Sequence, residues 1–192
     1  LFRSGNSTVS TIGGGGIYNA GSMTLTASTF WGNSVTNYGG AIHSGGTLSV
    51  TDSTFLNNVA GLHGGAIHSI GTLSVTDSTF SNNAAGSNGG AISNRNGTLV
   101  VASSTFTANT AANGGAFANY SYNSYPFGVT ATISNSTFSD ANTATAYGGA
   151  IYNVAQNTGL PFSTVTATLT LVNSTIVGNR AQDGGGVAAR VE

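Results

Sequence analysis

The chain has 192 residues, 39% of them hydrophobic and only 5% charged, against about 25% charged in an average soluble domain. It has four Arg, no Lys and five acidic residues, and its net charge is −1. Without clustered basic residues, no nucleic-acid partner is predicted. No apolar run reaches about 18 residues, so the sequence predicts no transmembrane segment. The absence of Cys excludes disulfides and thiolate metal sites.

A repeat of about 25 residues organises the chain. The segment 39–63 reads GGAIHSGGTLSVTDSTFLNNVAGLH, nearly the same string recurs at 64–88, and a third copy of the repeat lies at 89–113. A fixed period of this length is typical of stacked-repeat folds. The later coils, 114–147 and 148–183, are longer. The coils start near seven glycines: Gly14, Gly39, Gly64, Gly89, Gly114, Gly148 and Gly184.

Each coil is predicted to contain three short β-strands. In Thr47–Thr51, apolar and polar residues alternate with a period of two, which indicates a half-buried strand. A second strand carries Ser-Thr-Phe and a third carries Gly-Gly-Ala-Ile. Three short strands per coil, stacked in register at about 4.8 Å, make a single-stranded parallel β-helix. The predicted fold is all-β, with roughly six full coils, a partial coil at each end, and one domain over residues 1–192. Because both ends fall inside a coil, we expect the chain to be a segment of a longer protein.

Residues one repeat apart are expected to form inward columns. One column is aliphatic and one is aromatic: Ile17, Ile42, Ile67, Ile92, Phe117, Ile151 and Val187, and Phe30, Phe55, Phe80, Phe106, Phe138 and Ile176. A third column is predicted to be an asparagine ladder, whose amides would hydrogen-bond along the axis and satisfy backbone groups in turns. Its members are Asn33, Asn58, Asn83, Asn109, Asn142 and Asn179.

The combination of Gly-Gly-Ala-Ile with Phe-x-x-Asn in each coil resembles the repeats of chlamydial polymorphic outer-membrane proteins, within the pectate-lyase-like β-helix superfamily. The resemblance covers residues 14–186, although the fifth coil spaces Phe138 and Asn142 one residue wider and the sixth has Ile176 in place of Phe. It implies a right-handed helix and an extracellular or bacterial cell-surface protein with an adhesive or structural role. It transfers no catalytic residue, because a shared fold does not fix a function.

The sequence offers residues for two other chemistries, one enzymatic and one metal-binding. A polysaccharide lyase or hydrolase would need paired carboxylates, and Asp52 and Asp77 lie one coil apart, but their column is rich in turn formers. Arg95 is expected in a turn.

His43 and His68 share an outward column that could offer two metal ligands, although exposed, stacked imidazoles are the simpler interpretation. No cofactor and no metal site are predicted.

Threonine columns suggest an ice-binding face as a further alternative. The Thr-x-Thr pattern of the first strand, together with an all-Thr column before the aromatic residues, resembles the ice-binding face of β-helical antifreeze proteins. Thr also favours exposed strands in general. The all-Thr column comprises Thr29, Thr54, Thr79, Thr105, Thr137 and Thr175.

The two long coils depart from the repeat at 119–129 and 154–165, which are expected to be adjacent loops on one edge. Loops on a rigid scaffold commonly carry binding sites, and Tyr is a low-entropy contact residue. The predicted contact residues for a partner or glycan are Tyr120, Tyr122, Tyr125, Phe127 and Phe162. The alternative is that these aromatic residues cover the flank of the helix. The predicted function is thus a secreted or surface scaffold, an adhesin or a filament module, that binds a host or neighbouring-cell surface, a glycan, or itself.

Overall fold

A computed structural model describes residues 1–3, 6–7, 13–122, 128–156 and 165–191. The chain folds into a parallel β-helix, in which the strands of each coil pair with those of the coils on either side and form four parallel sheets. We number the sheets I to IV in the order in which the chain passes through them after each glycine pair. Within the described residues there is no helix long and apolar enough to cross a membrane.

Sheets I and II carry the longest strands. Sheet I contains Ile17–Asn19, Ile42–Ser44, Ile67–Ser69, Ile92–Arg95, Phe117–Tyr122, Ile151–Gln156 and Val187–Val191. Sheet II contains Ser22–Thr26, Thr47–Thr51, Thr72–Thr76, Thr98–Ala102, Val129–Ser134 and Ala167–Val172.

Sheets III and IV complete the coil. Sheet III contains Phe2–Arg3, Thr29–Trp31, Thr54–Leu56, Thr79–Ser81, Thr105–Thr107, Thr137–Ser139 and Thr175–Ile176. Sheet IV contains Asn6–Ser7, Ser34–Val35, Val59–Ala60, Ala84–Ala85, Thr110–Asn113 and Thr143–Tyr147. The prediction of three strands per coil is therefore wrong by one. The strands of sheet IV were not predicted, because most of them are two residues long, which is too short to show an alternation of apolar and polar residues.

The register places equivalent residues of neighbouring coils opposite one another. Ile67 faces Ile42 and Ile92, and the same holds for Phe80 between its two phenylalanine neighbours. The aromatic column runs from Phe2 to Phe138, and its ring centroids are 4.6, 4.8, 4.7, 4.9 and 4.6 Å apart. These spacings equal the distance between paired strands, so the stacking of the rings follows directly from the backbone ladder.

The asparagine column is a continuous line of hydrogen bonds beside this core. The Nδ2 group of each Asn donates to the Oδ1 atom of the Asn in the next coil, over 2.8 to 3.0 Å. Asn83 also donates from Nδ2 to the carbonyl of Phe55 in the preceding coil, at 3.0 Å. Buried turn groups are thereby satisfied without water, which avoids the cost of leaving them unpaired.

Glycine pairs and left-handed residues make the corners. Gly64 has a φ of 66°, a conformation that L-residues with side chains adopt at a cost. At Gly65 a Cβ atom would overlap the carbonyl oxygen of Gly90 in the next coil. Asp52 and Asp77 have φ values of 51° and 48°, which is the turn role expected for this column.

Candidate ligand-binding site on sheet I

The strands of sheet I become longer along the stack, and the longer strands form one wall of a candidate site. Its strand has three residues in Ile67–Ser69, four in Ile92–Arg95 and six in Phe117–Tyr122 and Ile151–Gln156. The last two strands pair over their whole length. The segments predicted to be loops therefore begin as strand. Their described parts are adjacent, as expected.

The outer face of sheet I is covered in its second and third coils. His43 and His68 point outward but are only 7% and 1% exposed, so the expectation of exposed imidazoles is wrong. Tyr38 and His63, which precede the glycine pairs, fold over them. The ring centroid of His68 lies 5.1 Å from that of Tyr38 and 5.8 Å from that of His63. The tight glycine turn brings each preceding side chain back over the strand that follows.

Burial keeps these histidines neutral. Desolvation lowers the pKa of His43 from its usual value. Desolvation, with a smaller contribution from the charge of Arg95, lowers the pKa of His63 to about 4. The pKa of His68 falls well below its usual value, chiefly through burial and then through the neighbouring histidines. A neutral imidazole both donates and accepts a hydrogen bond. Among the described residues, no group of three or more His, Cys, Asp or Glu could hold a metal ion.

A pocket of about 340 Å³ opens beside this cluster. One wall is the bridged column that leads from Tyr38 through His63 to Asn88. The opposite wall comes from the lengthened strands of sheet I. The lining residues are Tyr38, His63, Asn88, Arg95, Tyr120, Tyr122 and Gln156.

Tyr120 forms the buried base of the pocket. Its outward neighbours Ser93 and Ala118 are small and fully buried, so its ring lies across the sheet, with its centroid 5.5 Å from that of His63. The side chain is 4% exposed, so Tyr120 lies at the bottom of the pocket and not on the open surface. Its hydroxyl is buried without a hydrogen bond of good geometry. Burial raises the pKa of Tyr120 to about 12 and outweighs the opposing effects of Ser93, Arg95 and Asn88.

Tyr122 and Arg95 form the outer wall. Tyr122 is 40% exposed, and the guanidinium carbon of Arg95 lies 5.4 Å from the centroid of its ring. Asn96 fixes the backbone of Tyr122, because its Oδ1 accepts the Tyr122 N–H at 2.8 Å and its Nδ2 donates to the Tyr122 carbonyl at 3.2 Å. Arg95 was expected in a turn. Instead it is the last residue of the strand Ile92–Arg95.

The remaining predicted contact residues, Tyr125, Phe127 and Phe162, lie outside the described residues. Sequence reasoning missed Tyr38, His63, Asn88, Arg95 and Gln156 as members of a site. The one signal in the sequence was the bulky last residue of the first and second coils, Tyr38 and His63. The third and fourth coils end instead with Asn88 and Asn113.

Sequence reasoning also missed a second polar column, which runs along the inner side of sheet I. Asn94 donates to the Oδ1 atom of Asn119 at 2.9 Å, and Asn119 donates to that of Asn153 at 2.7 Å. The column comprises Asn19, Ser44, Ser69, Asn94, Asn119 and Asn153. Its buried side chains are structural and lie behind the pocket.

Two segments of the chain, 52–70 and 77–95, match the family model described as the Chlamydia polymorphic membrane protein repeat. Both segments are similar to that repeat. The similarity indicates a protein of the bacterial outer membrane or cell surface. No curated protein and no solved structure matches the chain. His63, Asn88 and Arg95 of the pocket lie within the matched repeats, whereas Tyr120, Tyr122 and Gln156 lie in the longer coils beyond them.

Proposed function

We propose that the chain is a non-enzymatic scaffold of the bacterial cell surface that acts in adhesion through the outer face of sheet I. The observation that carries this proposal is the pocket between the Tyr38–His63–Asn88 column and the lengthened strands. A regular stack of coils needs no such lengthening, so the departure favours a binding role. Recognition by rigidly held Tyr side chains is common because ordering them costs little entropy.

The partner class that suits this face is a glycan or a glycosylated surface on a host or neighbouring cell. The low overall charge of the chain gives little long-range steering, so we expect the contact to depend on short-range hydrogen bonds and ring contacts. Turn geometry gives Asp52 and Asp77 a structural purpose, which supports a scaffold over a polysaccharide lyase or hydrolase.

The direct test is adhesion of beads coated with the protein to cultured cells, with Tyr122→Ser as the variant. The matched control is Tyr18→Ser, because Tyr18 is also an exposed tyrosine of sheet I, at 50%, but lies outside the pocket. We expect Tyr122→Ser to reduce bead binding and Tyr18→Ser to leave it unchanged, with both variants folded by circular dichroism. Unchanged binding in both variants would refute a role of this face in adhesion.

Self-association into a filament is the second part of the structural role that we propose. Parallel sheets with low charge repel one another weakly, and strand edges pair readily. Sedimentation of the whole protein over a range of concentrations, with electron microscopy of the same samples, tests this part. Growth of fibres with concentration supports it, and a monomer at all concentrations contradicts it.

Ice binding is a second candidate function, because the register aligns threonines on sheets II and III. Thr130 lies opposite Thr98 and Thr168, and Thr79 lies opposite Thr54 and Thr105. Val100 and Ala102 interrupt the lattice on sheet II. Thermal hysteresis together with shaped ice crystals would support this candidate, and their absence would reject it.

A further inference from the structure

The described residues that line the pocket on sheet I include one cation and no acidic side chain. Arg95 is the only permanently charged side chain among the described residues that line it. His63 and Asn88 face Arg95 from the other wall, and neither carries a negative charge. In a chain with a net charge of −1, this pocket therefore favours an anion.

The guanidinium of Arg95 is held in place before any ligand arrives. It stacks over the ring of Tyr122, and Asn96 fixes the backbone of Tyr122 with two hydrogen bonds. A stacked guanidinium keeps its N–H edges available and can receive a carboxylate through two parallel hydrogen bonds. Such preorganisation reduces the entropy lost on binding.

The other lining groups suit hydroxyls better than a second charge. The Oδ1 atom of Asn88 accepts a hydrogen bond from Nδ2 of Asn113 at 2.9 Å, which leaves its N–H groups to donate. The amide of Gln156 and the neutral imidazole of His63 can each donate and accept hydrogen bonds, as the neighbouring hydroxyls of a sugar require. The rings of Tyr38 and Tyr122 supply apolar surface on opposite walls. A volume of about 340 Å³ lies at the small end of ligand pockets, which fits one or two sugar rings and not a long chain.

We propose that this pocket binds the acidic sugar of a cell-surface glycan, with the sugar carboxylate on Arg95 and the sugar ring between Tyr38 and Tyr122. The inference rests on the proposed adhesive function for its partner class. A phosphate ligand fits less well, because phosphate sites combine several cations or backbone N–H groups, whereas this pocket offers a single guanidinium among neutral amides.

The test compares acidic sugars with neutral partners of the same shape. The probes are sialyllactose against lactose, and trigalacturonate against its methyl ester, titrated calorimetrically into the whole chain, with glucose 6-phosphate as the phosphate arm. We expect at least one acidic probe to bind roughly ten-fold or more tightly than its neutral counterpart, as a hydrogen-bonded charge pair implies. The two probe pairs separate a sialic acid from a uronic acid.

Arg95→Gln is the decisive variant and Arg180→Gln its matched control, because Arg180 is exposed on another side of the coil. Arg95→Gln should abolish the preference for the acidic probe while the thermal unfolding curve is retained, and Arg180→Gln should preserve that preference. The proposal is overturned by equal binding of acidic and neutral probes, by tighter binding of glucose 6-phosphate, by failure of both acidic probes, or by equal losses in the two variants.

A second readout does not depend on adhesion. A carboxylate on Arg95 would offset the charge that helps to lower the pKa of His63, so acidic probes should raise that pKa in a proton NMR titration and neutral probes should leave it unchanged. Adhesion without binding of any acidic probe would reject this inference and leave the proposed function intact. Probe binding with unchanged bead adhesion in Arg95→Gln would uphold the pocket and reject its adhesive use.

Discussion

The Nδ2 atom of Asn58 donates a hydrogen bond to the Oδ1 atom of Asn83 over 2.9 Å, and the backbone N–H of Asn58 donates to the same oxygen at 3.0 Å. Asn83 in turn donates to Asn109 and to the carbonyl of Phe55. A single amide therefore connects three coils, and both Asn58 and Asn83 are fully buried.

Replacing Asn83 with Ala should lower the free energy of unfolding by about 2–4 kcal/mol, because it leaves several buried groups in two coils without partners. Urea denaturation followed by circular dichroism measures the change. Thr72→Ala is the control, since Thr72 is an exposed strand residue, and it should cost under about 0.5 kcal/mol. Equal effects of the two substitutions would mean that the ladder contributes little.

Gly65 and Gly21 form a matched pair for the close packing of coils. A Cβ atom at Gly65 would overlap the Gly90 carbonyl oxygen and crowd the backbone of Ala84, whereas a Cβ atom at Gly21 meets nothing within 4 Å. We expect Gly65→Ala to destabilise the fold by more than about 2 kcal/mol, and Gly21→Ala to be neutral or slightly stabilising. Thermal unfolding of both variants decides the matter, and a tolerated Gly65→Ala would contradict the described coil spacing.

The buried histidines should make stability depend on pH. His63 takes up a proton near pH 6.5 when unfolded but only near pH 4 when folded. The unfolded chain therefore binds more protons between these values, and stability is complete above about pH 6.5 and falls as the pH drops toward 4. The loss for His63 alone should be about 1–3 kcal/mol, with further losses in the same direction from His43 and His68.

The check is a series of melting temperatures from pH 7.5 to pH 4. His63→Gln should reduce this dependence, because glutamine does not titrate, and should leave the part that comes from His43 and His68. Tyr38→Phe keeps the ring that covers the cluster and is the control that should retain the slope. A melting temperature that is constant over this range would contradict the burial of the histidines.

The charge of Arg95 should be measurable at His63 without any ligand. Since Arg95 is the second cause of the lowered pKa of His63, after burial, Arg95→Gln should raise that pKa while leaving it below 6.5. Proton NMR of the imidazole follows the titration, with Arg180→Gln as the variant expected to cause no shift. An unchanged pKa of His63 in Arg95→Gln would mean that Arg95 does not lie close enough to His63 for the two to form one pocket.

The stacked core could be predicted from the sequence because it depends on repetition alone. Phe55 and Phe80 are 25 positions apart in nearly identical strings, so a fold that buries one buries the other directly above it. The asparagine column follows from the same spacing. In contrast, the burial of His68 depends on Tyr38 and His63 folding back over sheet I, a packing that no strand pattern contains.

The candidate site could not be predicted from the sequence either, because it also depends on packing outside the repeat. Arg95, Tyr122 and Gln156 come together because the strands of sheet I grow from three to six residues over successive coils. The sequence marks these places only as insertions into the repeat, and an insertion can be read as a loop or as a longer strand. Because Tyr122 pairs with Gln156, the described parts of these insertions are longer strands. The site therefore depends on the register that holds both of its walls.

That register can be tested by disulfide trapping in a chain that has no native cysteine. Thr47 and Thr72 are directly paired in sheet II, and Thr98 lies one coil further along. Their expected Cα separations are about 4.8 Å for the first pair and about 9.6 Å across two coils, and only the first lies within the reach of a disulfide. Mild oxidation of Thr47→Cys/Thr72→Cys should give an intramolecular crosslink, detected by gel mobility and mass spectrometry, while Thr47→Cys/Thr98→Cys should give none. Crosslinking of the second pair, or of neither, would contradict the one-coil register on which the core and both pocket walls depend.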